Sequence, residues 1–384
     1  MVVVETAEVV VVGGGAIGLS VAYHLAEMGP RDVVVVEKED ILGAGSTGRC
    51  AGGVRQQFAT EVNVRLGMES VKFFKRVSEE LGTGEFKQYG YLFLCTADEH
   101  MEGFRQLTVM QRRLGLDVRL VTPAEILEIV PDLYAGDILG GAFCPTDGYA
   151  DPHEIVQYLA SGAARRGVKI LTGTEVTGVE LRGGRISGVR TSRGEISTPA
   201  VVNCAGPWAR GVAAMAGVDL PVHPLRRQLQ CTKPVPRPRD PLPMVIDMTD
   251  GTHFRRESGG LLIGRVNPAE PFGFNFAVDW DWLAGTVELA VKRVPVLADA
   301  EILRAWAGLY EVTPDNHPVL GAVPEVPGFY LANGFSGHGF MHSPSAGRAV
   351  AEIILRGRSE TVDVSMLDLG RFARGEEIHG LELI

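Results

Sequence analysis

Gly13, Gly15 and Gly18 stand in a G-x-G-x-x-G arrangement directly after a β-branched run that ends at Val12. Glycines at that spacing permit a tight turn, let the backbone approach a diphosphate and bring the next helix close to its strand, while the helix N-terminus attracts phosphate charge. Glu37 closes a second β-branched run, Val33 to Val36, where a carboxylate can accept hydrogen bonds from ribose hydroxyls. The combination is a dinucleotide site. It does not distinguish nicotinamide from flavin, because both carry the same ADP half. Just beyond Glu37, Gly43-Ala44-Gly45-Ser46-Thr47-Gly48-Arg49 offers small residues, hydroxyls and a cation. That segment reads either as a second contact surface for the pyrophosphate or as an ordinary helix cap.

Other reactive side chains carry weaker patterns. His338 and His342 stand four apart, a spacing that can clamp a metal on a helix, but Gly339 and the glycine-rich run before it predict irregular backbone. No metal site is expected. Cys50 adjoins the Ser46–Arg49 segment and reads as a packed or exposed thiol. Five cysteines at irregular spacing fit neither a disulfide framework nor a zinc pattern. Trp280, Trp282 and Trp306 read as core or interface residues.

The elements that must position these groups follow from periodicity. Ile17, Val21, Ala22, Leu25 and Ala26 recur at helical spacing between the two valine runs, so the N-terminus is a βαβ unit. A helix is predicted from Asp151, as N-cap, to about Arg166, with Pro152 in its first turn and Glu154 closing a capping box. Strands follow at 168–171 and 175–181, the second leading into a hairpin at Arg182-Gly183-Gly184-Arg185. Val201 to Cys204 and Phe329 to Ala332 read as further buried strands, and Ala346 to Leu355 as a helix. Residues 85–145 and 218–309 mix β-runs, amphipathic helices and proline-rich turns, which predicts a second, mostly antiparallel sheet built from two insertions.

Length and composition limit the function. With 384 residues, 45% hydrophobic and 22% charged, the chain has enough material for two or three domains and is neither disordered nor collagenous. Thirty-seven basic against 47 acidic side chains, a net charge of −10 and no basic block disfavour nucleic acid and anionic membranes as partners. Apolar runs are far shorter than the ~20 residues that span a bilayer. Without a basic n-region or cleavage site at its start, the chain is expected to be cytoplasmic.

Five segments, VVVVGGGAIGLSVAYHLA, GAGSTGR, VVNCAGPWA, GLYEVTPDNHPVLG and GFSGHGFMHSPSAG, occur in an order that resembles the D-amino-acid oxidase-like flavoprotein superfamily, in its sarcosine oxidase and amine (proline, dimethylglycine) dehydrogenase branch. The resemblance extends over nearly the whole chain. It implies non-covalent FAD, with Gly13, Gly15, Ala16 and Gly18 at the pyrophosphate, Glu37 toward the adenosine ribose, Ser46, Thr47 and Arg49 at the phosphates, and Ile17 and Lys38 also among the cofactor-binding residues. Val176 would meet the adenine through its backbone, Ala205, Gly206 and Gly308 would complete the cofactor shell, and Gly337, Gly339, Phe340 and Met341 would lie near the isoalloxazine. Arg55 matches the arginine that holds the substrate carboxylate, a task suited to a planar guanidinium. Tyr310 and His338 match a tyrosine beside the substrate and a histidine beside the flavin.

Three positions depart from the branch's monomeric oxidases. The cysteine that attaches flavin is Gly308 here, the oxygen-activating lysine is Leu262, and a second lysine is Met341. His253 and Arg255, which share a face if their segment is extended, become candidates for the missing polar contact. The expected fold is α/β, a Rossmann-like FAD-binding domain (1–84, 146–217 and 310–384) with a second, mostly antiparallel β-sheet substrate domain flanked by helices (85–145 and 218–309). The expected activity is FAD-dependent oxidation of the C–N bond of a small secondary or N-methylated amino acid, such as sarcosine or L-proline, to an imine that water hydrolyses. Electrons would pass to oxygen or to a partner protein. The alternatives are a β-like subunit of a hetero-oligomeric dehydrogenase and a non-enzymatic FAD-binding assembly factor.

Overall fold

Val9–Val12 and Val33–Val36 are strands in which every side chain is buried. A strand covered on both faces sits inside a parallel sheet. In the computed structural model, which describes residues 4–29, 32–82 and 86–380, these two strands pair in parallel at the centre of a six-stranded sheet. Its order is Lys169–Leu171, Val33–Val36, Val9–Val12, Val201–Asn203, Phe329–Asn333 and Val319–Ala322, all parallel except the last pair. The helix Ala16–Met28 packs against Gly339–Arg356 and Pro152–Arg165. Gly347 permits the first of these contacts, because a Cβ there would fall 2.3 Å from the Ser20 hydroxyl oxygen. A four-stranded sheet, Val4–Thr6, Gly194–Ser197, Arg185–Thr191 and Val176–Arg182, completes this unit.

The second unit is built on an eight-stranded sheet in the order Ile302–Val312, His223–Thr232, Gly260–Gly264, His253–Glu257, Met244–Asp247, Tyr91–Cys95, Gly140–Cys144 and Arg119–Val121. From His223–Thr232 onward the neighbours are antiparallel, apart from the parallel pair of Met244–Asp247 with Tyr91–Cys95. Helices Glu61–Leu81, Asp98–Arg113 and Trp280–Arg293 accompany it. A short three-stranded sheet joins Gly53–Val54 and Phe86–Lys87 to Gly148–Ala150.

Several local expectations shift. The units change over after residues 50, 150, 225 and 308. Residues 51–82 and 146–150, grouped by sequence with the first unit, therefore lie in the second, because Gly53–Val54 pairs with Gly148–Ala150. The last long helix begins at Gly339, not Ala346, and contains Pro344. The carbonyl that a proline at 344 leaves without its helical N–H, that of Phe340, accepts from the Ser343 hydroxyl at 2.8 Å. Asp151 caps its helix through His153 N at 2.7 Å, not through a box with Glu154.

Near the C-terminus, Arg371 is 1% exposed and clamps Asp315 with Nε to Oδ2 at 2.8 Å and a second nitrogen to Oδ1 at 2.9 Å. It also donates to the carbonyls of His317 and Leu367. Removing one partner of such a pair strands a buried charge. Arg371→Met is expected to cost about 3–5 kcal/mol in chemical denaturation, and a loss below about 1 kcal/mol would show the pair to be dispensable.

Candidate functional site

The first turn after Val12 is built around backbone contact. Gly13 has φ +114°, and a Cβ there would lie 2.3 Å from the Cys204 carbonyl oxygen. A Cβ at Gly18 would lie 1.9 Å from the carbonyl oxygen of Gly13. The helix that starts at Ala16 has Gly15 as N-cap, no capping side chain and no acidic residue in its first turn. Its positive end is thus left for an external anion. Ala16 N donates to Thr47 Oγ1 at 3.1 Å, which leaves the Thr47 hydroxyl hydrogen to donate elsewhere. The Glu37 carboxylate is fixed by two backbone donors, Gly14 N at 2.6 Å and Glu39 N at 2.9 Å.

The remaining predicted cradle residues divide. Ser46 Oγ donates to Leu309 O at 2.6 Å, tying this loop to the segment that carries Tyr310. Arg49 Nε reaches Ala44 O at 3.4 Å. Lys38 lies 3.7 Å over the Trp208 ring and pairs with Glu39 at 3.2 Å. Asn203 shapes the Ala205–Gly206 turn, accepting from Ala205 N and donating to Ala209 O. Ile17 is buried in the first helix, and Val176 is the buried first residue of its strand.

Later in the same unit the chain makes a left-handed excursion at Gly334, Ser336 and Gly337, with φ of 75°, 50° and 99°. The Tyr310 ring occupies the space beside Gly337, where a Cβ would fall 2.4 Å from Cε2. His338 is the N-cap residue of the following helix, and Gly339, Phe340 and Met341 form its first turn. His342 therefore sits on a regular helix, contrary to the irregular backbone predicted there, and its ring centroid is 6.1 Å from that of His338. Among the described residues no group of three or more His, Cys, Asp and Glu is arranged to hold a metal ion.

Sequence reasoning missed Glu311, whose only signal was one acidic residue in an apolar run. Its backbone carbonyl accepts from Ser336 N at 3.0 Å. Its buried carboxyl is pushed up to about 7 by desolvation, opposed by hydrogen bonds from the backbone N–H groups of Gly334 and Phe335. Glu311 therefore braces the same turn that Tyr310 packs against.

In the second unit Arg55 directly follows the strand Gly53–Val54 and is 3% exposed. Its guanidinium lies 4.4 Å over the Phe58 ring and 5.7 Å from that of Phe93. The next residues are held by Asp147, fully buried and also missed from sequence. Its Oδ1 accepts Gln56 N and Gln56 Nε2, each at 2.9 Å, and its Oδ2 accepts Gln57 Nε2 at 3.0 Å. Burial pushes its carboxyl up to about 6 against the pull of these donors.

His253 and Arg255 do lie on a strand, His253–Glu257, where Arg255 pairs opposite Leu262. Arg255 is engaged by Ala51 O at 2.6 Å, Glu257 at 2.8 Å and the Tyr149 ring at 4.8 Å. His253 Nδ1 is 3.1 Å from Gly251 O, so Nδ1 carries the proton, and burial holds the imidazole below its usual pKa. Leu262 is buried, and Gly308 offers no side-chain atom for a covalent bond.

The model of the family described as "FAD dependent oxidoreductase" (DAO) matches residues 8–353. The chain belongs to the DAO family of FAD-dependent oxidoreductases. It is 33% identical to human mitochondrial sarcosine dehydrogenase and to rat mitochondrial dimethylglycine dehydrogenase, covering 96% of this chain with 42% and 45% of theirs. The chain thus spans less than half the length of these curated relatives. A crystal structure of L-proline dehydrogenase from P. horikoshii superposes with a TM-score of 0.92 at 39% identity, covering 98% of this chain and all of that one. No helix among the described residues is long and apolar enough to cross a membrane.

The residues present suit FAD. The uncapped helix end can face the pyrophosphate, and the Thr47 hydroxyl can donate to it. The fixed Glu37 carboxylate has lone pairs left for ribose hydroxyls.

The raised Glu311 carboxyl is expected to make the stability of this chain depend on pH. A carboxyl that holds its proton more tightly folded than unfolded contributes stability below its unfolded pKa and loses it as pH rises through the folded value. Between pH 5 and 8 the wild type is expected to lose stability relative to Glu311→Gln, by at most about 3 kcal/mol. Urea melts of both proteins at the two pH values check this; parallel curves would rule it out.

Proposed function

We propose that this enzyme oxidises the C–N bond of a small secondary or N-methylated amino acid, with L-proline as first substrate and sarcosine as second. The observation that carries the reading is Arg55, a buried guanidinium on aromatic faces, which suits it to pair in bidentate fashion with a carboxylate in a water-poor setting. The likeness to L-proline dehydrogenase and to the sarcosine and dimethylglycine dehydrogenases supports the substrate class.

FAD, when bound, supplies the acceptor for the hydride that leaves the carbon beside the substrate nitrogen. The helix N-terminus at Ala16, Thr47 and Arg49 would hold its phosphates, Glu37 its ribose, and the Gly337–Met341 segment its ring. Arg55 would fix the substrate carboxylate and so orient the carbon that loses hydride. Tyr310 and His338 would border the reacting groups, and His253, neutral at physiological pH, would offer a polar contact. The resulting imine is hydrolysed by water, with no protein nucleophile or metal. Leu262 removes a cation from the position that favours oxygen in related oxidases, so a carrier or partner protein is proposed as electron acceptor. Cytoplasmic residence belongs to the same reading and is tested by cell fractionation.

Anaerobic flavin bleaching with L-proline, sarcosine, dimethylglycine, glycine and D-alanine tests the substrate class; bleaching by glycine or D-alanine alone would overturn it. Arg55→Met is expected to lower kcat/KM by about 2–5 kcal/mol while FAD content is retained. Colourless apoprotein, or wild-type kinetics, would remove Arg55 from its role. Acid precipitation should release all the flavin, because residue 308 is glycine; colour left in the pellet would show a covalent bond elsewhere.

A further inference from the structure

We propose that Asp147 is a positioning residue that aims the Arg55 guanidinium by holding the backbone and side chains that follow it. This rests on the reading of Arg55 as the carboxylate anchor. The direction in which a side chain leaves the backbone is set by the peptide planes on either side of it. The plane between residues 55 and 56 is gripped from both edges. Its N–H, on Gln56, donates to Asp147 Oδ1 at 2.9 Å. Its carbonyl, on Arg55, lies against the helix Glu61–Leu81 at Gly67, where a Cβ would stand 2.8 Å from the Arg55 oxygen and 3.0 Å from Gln56 Cα. With a carboxylate on one edge and helix backbone on the other, that plane has little freedom to rotate.

The same carboxylate orders the next two side chains. Gln56 Nε2 shares Oδ1 and also donates to Thr146 Oγ1 at 2.9 Å. Gln57 Nε2 binds Oδ2 at 3.0 Å and Tyr91 O at 3.3 Å, which ties the segment to the edge of the Tyr91–Cys95 strand. These three partners are N–H donors and the Cys144 thiol also reaches this carboxyl, so acceptor chemistry is required at both oxygens. A carboxamide would turn its own N–H₂ toward one set of donors whichever way it flipped. Burying a carboxylate is costly, and all three of these bonds go to the two residues immediately after Arg55. A group that only closed the Thr146–Gly148 turn would need none of them.

The test is a double-mutant cycle on the FAD-loaded protein, using anaerobic titration with L-proline, or with sarcosine if only sarcosine bleaches the flavin. Asp147→Asn is expected to raise the concentration for half-maximal reduction roughly tenfold, with flavin content unchanged. In an Arg55→Met background the same substitution should add less than about twofold, because the group it aims is gone. An unchanged half-saturation in Asp147→Asn, or an equal shift in both backgrounds, overturns the positioning role while leaving Arg55 as anchor. If Arg55→Met itself leaves half-saturation unchanged, the anchor reading fails and the positioning role with it. Should Asp147→Asn not accumulate as a flavoprotein, Gln57→Leu takes its place in the cycle. It removes one donor from Oδ2, so a shift of about threefold confined to the Arg55 background is expected, and no shift overturns the proposal.

Discussion

The backbone of Gly13 lies so close to the carbonyl of Cys204 that a single added carbon would come within 2.3 Å of its oxygen. That approach is the constraint on which the first unit depends. It brings the ends of the Val9–Val12 and Val201–Asn203 strands together, and Gly18, equally closed to a side chain, holds the first helix down on the Gly13 turn. The helix can then begin with no cap of its own. Its free N-terminal charge and the fixed Glu37 carboxylate are two consequences of the same close packing, and together they make a surface complementary to a dinucleotide.

Elsewhere in the molecule two loops are likewise held by buried carboxyls. Glu311 braces the Gly334–Ser336 turn by its carboxyl and its own backbone carbonyl, and the neighbouring Tyr310 fills the space beside Gly337. Asp147 does the comparable work for the residues after Arg55. Both are buried carboxyls with raised pKa values, held by N–H donors and desolvated by the core around them. Such groups cost stability, and they are retained where the position of a loop matters more than the free energy of the fold.

The departures at Gly308, Leu262 and Met341 sit in ordinary structural settings. Leu262 is a buried ladder residue between Cys231 and Arg255, and Met341 is a buried residue in the first turn of a helix. Both positions thus hold an apolar side chain buried within its own element.

Patterns local to a few residues were legible in the sequence alone. The βαβ unit, the glycine fingerprint, Glu37, the hairpin at Gly183–Gly184 and the mixed character of the second unit all follow from periodicity, β-branching and the conformational freedom of glycine. Only the tertiary structure decided the partnerships of residues far apart in the chain. The pairing of Gly53–Val54 with Gly148–Ala150 moved residues 51–82 into the second unit. The helix Gly339–Arg356, which packs on the first helix, runs back through Pro344 to Gly339. Asp147 and Glu311 acquired their roles from donors on other strands and turns, 91 residues away for Gln56. Periodicity records which face of an element is buried. It holds no record of which distant donor a buried carboxyl will meet, because that depends on the register of strands brought together only when the chain has folded.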